Sequence, residues 1–454
     1  MLNYGDQEGL RIDLKSERHF LLTALVAALV IRGVWIFSLE DRPYTYDGEV
    51  YDRIAVNVIE GRGFGYRPGE LQSWRPPLYP LFLAASHAFF GGSLLLVRVL
   101  QTLMGVATVL LVYLLGKELF TQKHAPELAA LIIALYPGMA IFPGLLLTET
   151  LVTLLLVSAL YVQSRIMGKP SISRLVLFGV LCGLTVLCRP AFLVFAFFSC
   201  ALLFWYELRR ETPHLKRGAR SVGVILSALV LTLIPWTVRN YRVHRSFVPI
   251  STNGGVLLLE SNNPQASGGL LRDDTWIQEQ ERRFLEASKK DRLSEAERSR
   301  LYTRWALAYI GTHPVHFLHL AVQRWRIFWL YPIWYQQDLK AQLSVTLLDV
   351  ALWPFLILGV VLSAGSQRPV ILYMPVLALA AVHMVFCADA RFRFPLLPIF
   401  ALFEGVGIGG LSELLVPLRK RRRPERRKIL LAGALLLGVA LAYLLTLLSL
   451  RRIP

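Results

Sequence analysis

Long apolar runs, separated by short polar clusters, dominate this chain. A helix that crosses a bilayer needs about 20 mostly apolar residues. Runs of that kind lie at 20–39, 94–116, 127–146, 147–167, 173–189, 190–208, 219–238, 343–363, 370–387, 395–415 and 429–450. The pattern predicts an all-α polytopic membrane protein with about 11 transmembrane helices, or 13 if two borderline stretches also cross. The first borderline stretch, 78–90, is too short to span comfortably and reads as a juxtamembrane helix ended by Gly91-Gly92. The second, 315–329, interleaves Leu, Trp and Phe with Gln323, Arg324 and Arg326. Mid-span arginines are costly, so it reads as an interfacial helix.

Composition supports this class. Of 454 residues, 55% are hydrophobic and 18% charged, and mean hydropathy is +0.49. Soluble domains carry about 25% charge. The net charge of +18 does not point to nucleic acid, because much of it sits in clusters beside apolar runs. Arg11, Lys15 and Arg18 place residues 1–19 in the cytoplasm, and the run RKRRRPERRK at 419–428 is cytoplasmic too. The run after Phe20 lacks a cleavage site and reads as a retained anchor. Four cysteines, Cys182, Cys188, Cys200 and Cys387, lie in or beside apolar spans with no metal spacing.

Alternation of the basic clusters divides the chain. Residues 20–238 form an N-terminal transmembrane module whose first external loop is 40–93. Residues 239–342 form a large external loop with interfacial helices, and 343–454 a C-terminal transmembrane module. Pro235-Trp236 closes the preceding span, and Ser294 with Glu297 fits a capping box inside the large loop. No repeat and no symmetric halves are evident.

The densest polar stretch is 44–77, YTYDGEVYDRIAVNVIEGRGFGYRPGELQSWRPP, directly after the first span. The topology gathers Asp47, Glu49, Arg75, Glu149, Arg189, Arg239, Asn240, Arg391 and Arg393 on that outer side. Arginine clamps phosphate bidentately, and a carboxylate can take a proton from an attacking hydroxyl. Each residue also has a plainer reading. Asp47 could cap a helix beginning near Gly48. Glu149 could be a turn residue, Arg189 could snorkel at a span end, and Arg391 and Arg393 could anchor at the interface. His313, His316 and His319 follow no known metal-ligand pattern.

Motifs along most of the chain resemble one family. WRPPLYPLFLA (74–84), LLTETL (146–151), CRP (188–190), PWTVRNYR (235–242), STNGG (251–255), NNP (262–264) and ARFRFPLLP (390–398), after the acidic Asp47-Gly-Glu49, occur in its order. The chain resembles the bacterial GT-C glycosyltransferases related to protein O-mannosyltransferases and to the aminoarabinose transferase of lipid A. The resemblance implies a GT-C-like fold and inverting transfer of a sugar from a polyprenyl-phosphate donor to a hydroxyl acceptor, among membrane lipids. It places that reaction on the external face of the inner membrane. It makes Asp47 the essential acidic residue of the first loop, acting as the base, and Glu149 a second acidic position, with Glu49 beside them. Arg75, Arg189, Arg391 and Arg393 become donor-phosphate ligands. Arg239, Asn240, Asn253 and Asn262 fall in the substrate loop. No cofactor is certain, although Asp47 and Glu49 could hold a divalent cation. The lipid A enzymes lack the STNGG and NNP stretches, which leaves the acceptor open. A flippase of polyprenyl-linked glycans is an alternative, disfavoured because ionisable residues avoid span centres. A glycan polymerase or ligase is a second.

Overall fold

A computed structural model describes residues 6–40, 45–209, 215–269, 274–331 and 339–410. All regular structure among them is helical. Eight helices are long and apolar enough to cross a membrane, or nine if one bent pair counts as a span. Ten of the eleven runs read from hydropathy have a helical counterpart. One of these, Ile172–Cys188, is a shorter apolar helix of 17 residues. The run at 429–450 and the basic cluster at 419–428 lie outside the described residues.

The clearest departure is at 127–146, read as one span. It is two pieces, Ala125–Leu135 and Pro137–Gly144, bent by 60°. Pro137, Gly138, Pro143 and Gly144 interrupt the backbone ladder there. Backbone carbonyls freed among apolar spans need partners, and side chains from two neighbouring helices supply them. Arg32 of the Asp6–Phe37 helix donates to Ala134 O at 3.0 Å and Ile133 O at 3.1 Å. Trp35 donates to Ile141 O at 3.0 Å. From the Leu94–Leu119 helix, Arg98 Nε donates to Gly144 O at 3.0 Å and Gln101 to Pro143 O at 2.9 Å. Arg32 and Arg98 are fully buried. Arginine does occur within these spans, with backbone carbonyls receiving both terminal nitrogens of Arg32 and Nε and Nη1 of Arg98.

Close packing closes the bundle. A Cβ on Gly405 would lie 2.3 Å from Ala125 O, and one on Gly407 2.0 Å from Phe355 O. Only glycine lets the Ala390–Gly409 span approach both neighbours so tightly.

The Tyr46–Ile59 helix packs on Leu78–Phe90. Thr45, not Asp47, caps its start, with its side chain accepting from Gly48 N at 2.8 Å. Asp47 sits in the first turn, where a negative charge complements the helix dipole. Gly91 and Gly92 have φ of 64° and 84° and end the second helix as expected. The Leu215–His244 helix runs on through Pro235 instead of closing there, nine residues past the proline. Helices Asn253–Ser261, Thr275–Ser288 and Glu295–Thr312 follow, the last with the complete Ser294–Glu297 capping box. They enclose a second apolar core around Leu259, Ile277 and Tyr302, against which Trp74 packs.

A polar hub fastens this insertion to the first loop. Ser73 is fully buried. Its hydroxyl donates to Asn240 Oδ1 at 2.7 Å and accepts from Arg239 Nη1 at 2.7 Å. His244 Nε2 lies 2.8 Å from the same oxygen, and Ser73 N donates to Glu295 at 2.9 Å. Two residues on, the chain delivers Arg75.

Candidate active site

Asp47 lies between two guanidiniums. Arg75 Nη2 donates to Oδ1 at 2.6 Å and Arg391 Nη2 to Oδ2 at 3.2 Å. Arg391 Nε then reaches Glu149 Oε1 at 3.2 Å, and Arg189 Nη2 reaches the same oxygen at 2.8 Å. The five side chains form one ladder, Arg75–Asp47–Arg391–Glu149–Arg189, with one positive charge in excess. They come from four separate stretches of chain, all placed on the outer side by the sequence pattern.

Local folding explains each position. Asp47 and Tyr51 are one turn apart on their helix. The Arg75 guanidinium lies 5.3 Å from the Tyr51 ring centre, a cation–π contact that fixes it from below. Tyr51 meets Tyr79 edge to face at 5.1 Å, and Tyr79 donates to Gln101 at 2.8 Å. Glu149 begins the Glu149–Gly168 helix and is 1% exposed. Arg189 and Arg391 flank the Phe392 ring at 5.4 and 5.8 Å.

Burial alone would raise the Asp47 pKa, but Arg75 and Arg391 outweigh it and hold the carboxyl below its ordinary value. Tyr51 moves the other way, with burial pushing its hydroxyl up to about 12. Asp47 is therefore an ionised carboxylate whose basicity the two arginines suppress.

The other residues singled out in the sequence lie elsewhere. Glu49 pairs with Arg53 at 2.7 Å, one turn along the same helix, and its side chain is 44% exposed. Arg393 does not accompany Arg391. It lies buried, donating to Phe328 O, with Asp349 Oδ2 at 3.6 Å. Tyr136 donates to the other Asp349 oxygen at 2.6 Å. The two arginines share the 3-10 helix Ala390–Leu396, whose three residues per turn point positions two apart in different directions. Arg239 and Asn240 are held in the Ser73 hub, and Asn240 donates to Val248 O and Ile250 O at 3.0 and 3.1 Å. Asn262 is buried, donating to Leu258 O and Val385 O and accepting from Arg324. Asn253 starts a helix and accepts from Ser251 Oγ at 2.8 Å. These four serve scaffold contacts in this packing. Tyr309 donates to His316 or accepts from it at 2.8 Å and stacks on His313, and His319 stacks on His316 at 6.4 Å, so all three histidines are engaged locally.

The donor set at Asp47 does not suit a divalent cation. Both carboxylate oxygens face guanidiniums, Glu49 faces Arg53, and no group of three or more acidic, His or Cys ligands occurs among the described residues.

Residues 74–236 match the family model for dolichyl-phosphate-mannose-protein mannosyltransferase. The whole fold is similar to the archaeal oligosaccharyltransferase AglB from Archaeoglobus fulgidus, solved with an inhibitory peptide and a dolichol-phosphate. The TM-score is 0.54 at 18% identity, covering 94% of this chain and 55% of that one. The chain has the GT-C fold. The resemblance read from the ordered motifs holds at that level. A second AglB structure, in complex with Zn and sulfate, gives a TM-score of 0.54 at 16% identity over 94% of this chain and 52% of that one. ArnT from Cupriavidus metallidurans is more distant, with a TM-score of 0.40 at 14% identity over 85% and 78%. This chain spans about half the length of the archaeal enzymes it matches. No curated protein matches it.

Sequence reasoning missed Tyr51, Phe392 and Ser73. Tyr51 carried a signal, since it stands four residues after Asp47 on a predicted helix. Phe392 stood between the two arginines. Ser73 carried none.

Proposed function

We propose that this protein is an inverting glycosyltransferase that moves a sugar from a polyprenyl-phosphate donor to a hydroxyl acceptor on the external face of the inner membrane. The observation that carries this reading is the Asp47 carboxylate held between Arg75 and Arg391. The acceptor oxygen attacks the anomeric carbon as Asp47 takes its proton. The bond from that carbon to the phosphate oxygen breaks, and the lipid phosphate leaves with the electron pair. One displacement inverts the centre.

Arg391 and Arg189 are the donor-phosphate ligands in this scheme, and Glu149 keeps their two guanidiniums together. The ladder's one excess positive charge suits a phosphodiester, and the second charge that develops on departure is stabilised by donors already in place. Arg391 links the two halves. A phosphate that takes its N–H groups withdraws one partner from Asp47, so the carboxylate becomes a stronger base when the donor is bound. No step requires a metal ion. Similarity to enzymes of lipid-linked donors supports this assignment, as does the family match over 74–236.

The test is Asp47→Asn. Asparagine keeps the shape and an acceptor oxygen but cannot take the proton. Sugar transfer should fall by about 10²- to 10⁴-fold with thermal stability retained. A folded variant within about threefold of wild type rejects Asp47 as the base.

A further inference from the structure

A groove of about 170 Å³ opens beside the ladder, and nothing above uses it. Its floor is Val50, Ile54 and Phe64, and aromatic rings of Tyr46, Tyr66 and Trp74 line it. Gln72 and Arg75 supply its polar groups. Tyr46, Val50 and Ile54 recur every four residues and so share one face of their helix. Tyr46 immediately precedes Asp47, yet 74% of it is exposed. Tyr66 is held by Arg53, whose guanidinium lies 5.1 Å from the ring centre. Phe64 packs on Trp236 at 4.7 Å.

Arg75 joins this groove to the base. It lines the groove and donates to Asp47 Oδ1, whereas Arg391 holds Oδ2. Arg391, Arg189 and Glu149 do not line it. An inverting displacement needs nucleophile and leaving group on opposite sides of the anomeric carbon. With the phosphate at Arg391 and Arg189, the hydroxyl arrives from the Arg75 side.

We propose that this groove is the acceptor subsite and that its occupant is a sugar ring. The inference rests on Asp47 being the base. At about 170 Å³ the groove is small, and a single ring suits it better than an extended chain. Its aromatic walls suit the apolar C–H faces of a pyranose, and Gln72 and Arg75 suit its hydroxyls. A peptide bound by strand addition needs a free strand edge, and no strand occurs among the described residues.

The experiment is binding, independent of turnover. The full chain is held in amphipol, since glycoside detergents would compete. Methyl α-D-mannopyranoside and methyl β-D-glucopyranoside are the probes, read by saturation-transfer NMR. Transfer to ring protons is expected for at least one probe. It should weaken about two- to tenfold in Tyr46→Ala and Tyr66→Ala, the range for losing one aromatic contact, and return in Tyr46→Phe. Binding of undecaprenyl phosphate should be unchanged in these variants, which also reports that they are folded. Asp47→Asn should still bind the glycoside, so failure of the base assignment and failure of the subsite are distinguishable. The proposal is overturned if neither glycoside binds the wild type, or if both alanine variants bind as well as it does. It is also overturned if acetyl-Ala-Thr-Ala-amide, and not a glycoside, shows the Tyr46-dependent signal.

Discussion

Replacing Arg391 with Met removes its charge and leaves a side chain of similar reach. Two ion pairs disappear, to Asp47 Oδ2 and to Glu149 Oε1, both at 3.2 Å. At that separation a pair of unit charges interacts by about 1.3 kcal/mol in water and about 5 kcal/mol at an effective dielectric of 20. The Arg391 and Asp47 side chains are 18% and 23% exposed, so screening keeps the link nearer the lower figure. A coupling of about 2 kcal/mol is expected, roughly 30-fold in an equilibrium constant. Two readouts follow. Undecaprenyl phosphate should bind about 30-fold more weakly, measured by thermophoresis in amphipol. The acid limb of the activity profile should move to higher pH. The sign follows from the depressed pKa of Asp47. In the wild type the carboxylate and its share of stability are present above the unfolded value of about 3.9 and are lost only as pH falls through the lower folded value. Without Arg391 the depression shrinks while burial still raises the pKa, so protonation begins earlier on the descent. The Asp47→Asn/Arg391→Met double mutant should show non-additive phosphate binding, because both changes touch one link. If phosphate affinity and the acid limb are both unchanged in Arg391→Met, the ladder does not exist in solution and the proposed coupling of donor to base fails.

Other substitutions separate the ladder from its surroundings. Glu49→Gln should leave sugar transfer within a few-fold of wild type, since an exposed i,i+4 pair is worth about 0.3–0.5 kcal/mol; a loss as large as that of Asp47→Asn would move the base to Glu49. Ser73→Ala should destabilise the protein by about 1–3 kcal/mol, because Asn240, Arg239 and His244 lose a buried partner, and a thermal-shift series would read this. Cysteines introduced at 260 and 424 should differ in labelling from outside, the first reactive and the second protected; the reverse would invert the orientation and remove the site from the external face.

Much of this was legible in the residues, for identifiable reasons. Apolar runs are read by length alone, so the spans emerged. Acids and bases of both signs gathered on one side of the apolar spans, so Asp47, Arg75, Glu149, Arg189 and Arg391 drew notice, and they do converge. The choice between Arg391 and Arg393 was not readable. It depends on a 3-10 turn that points one residue at Asp47 and the other at Asp349, and spacing of two reads equally as loop. The roles of Arg239 and Asn240 depended on Ser73, more than 160 positions away, and pairwise contact at that separation leaves no mark in a single sequence. The bend after Leu135 had its signal in two Pro-Gly pairs, but hydropathy over a window averages them away. Asp47 as a cap missed by two residues, because Thr45 is also a favoured capping type and stands nearer the helix start.

The carbonyl clamps around the bent segment bear on how the chain enters the membrane. Arg32 and Arg98 are made before residues 133–144, whose carbonyls accept their protons. During synthesis each of the two helices therefore carries an arginine that has one carbonyl partner already made, Ala28 O for Arg32 and Glu40 O for Arg98, while its partners in 133–144 are still inside the ribosome. Arg32 lies five residues before the end of its span and Arg98 is the fifth residue of its own, so early release of either helix costs less than the about 2.5–3.5 kcal/mol of an arginine at mid-helix. The two arginines wait near the outer ends of their spans until the segment ending at Gly144 supplies the carbonyls that receive them. Glu149 follows that segment by five residues, so the chain completes these clamps just before it contributes its next residue to the ladder.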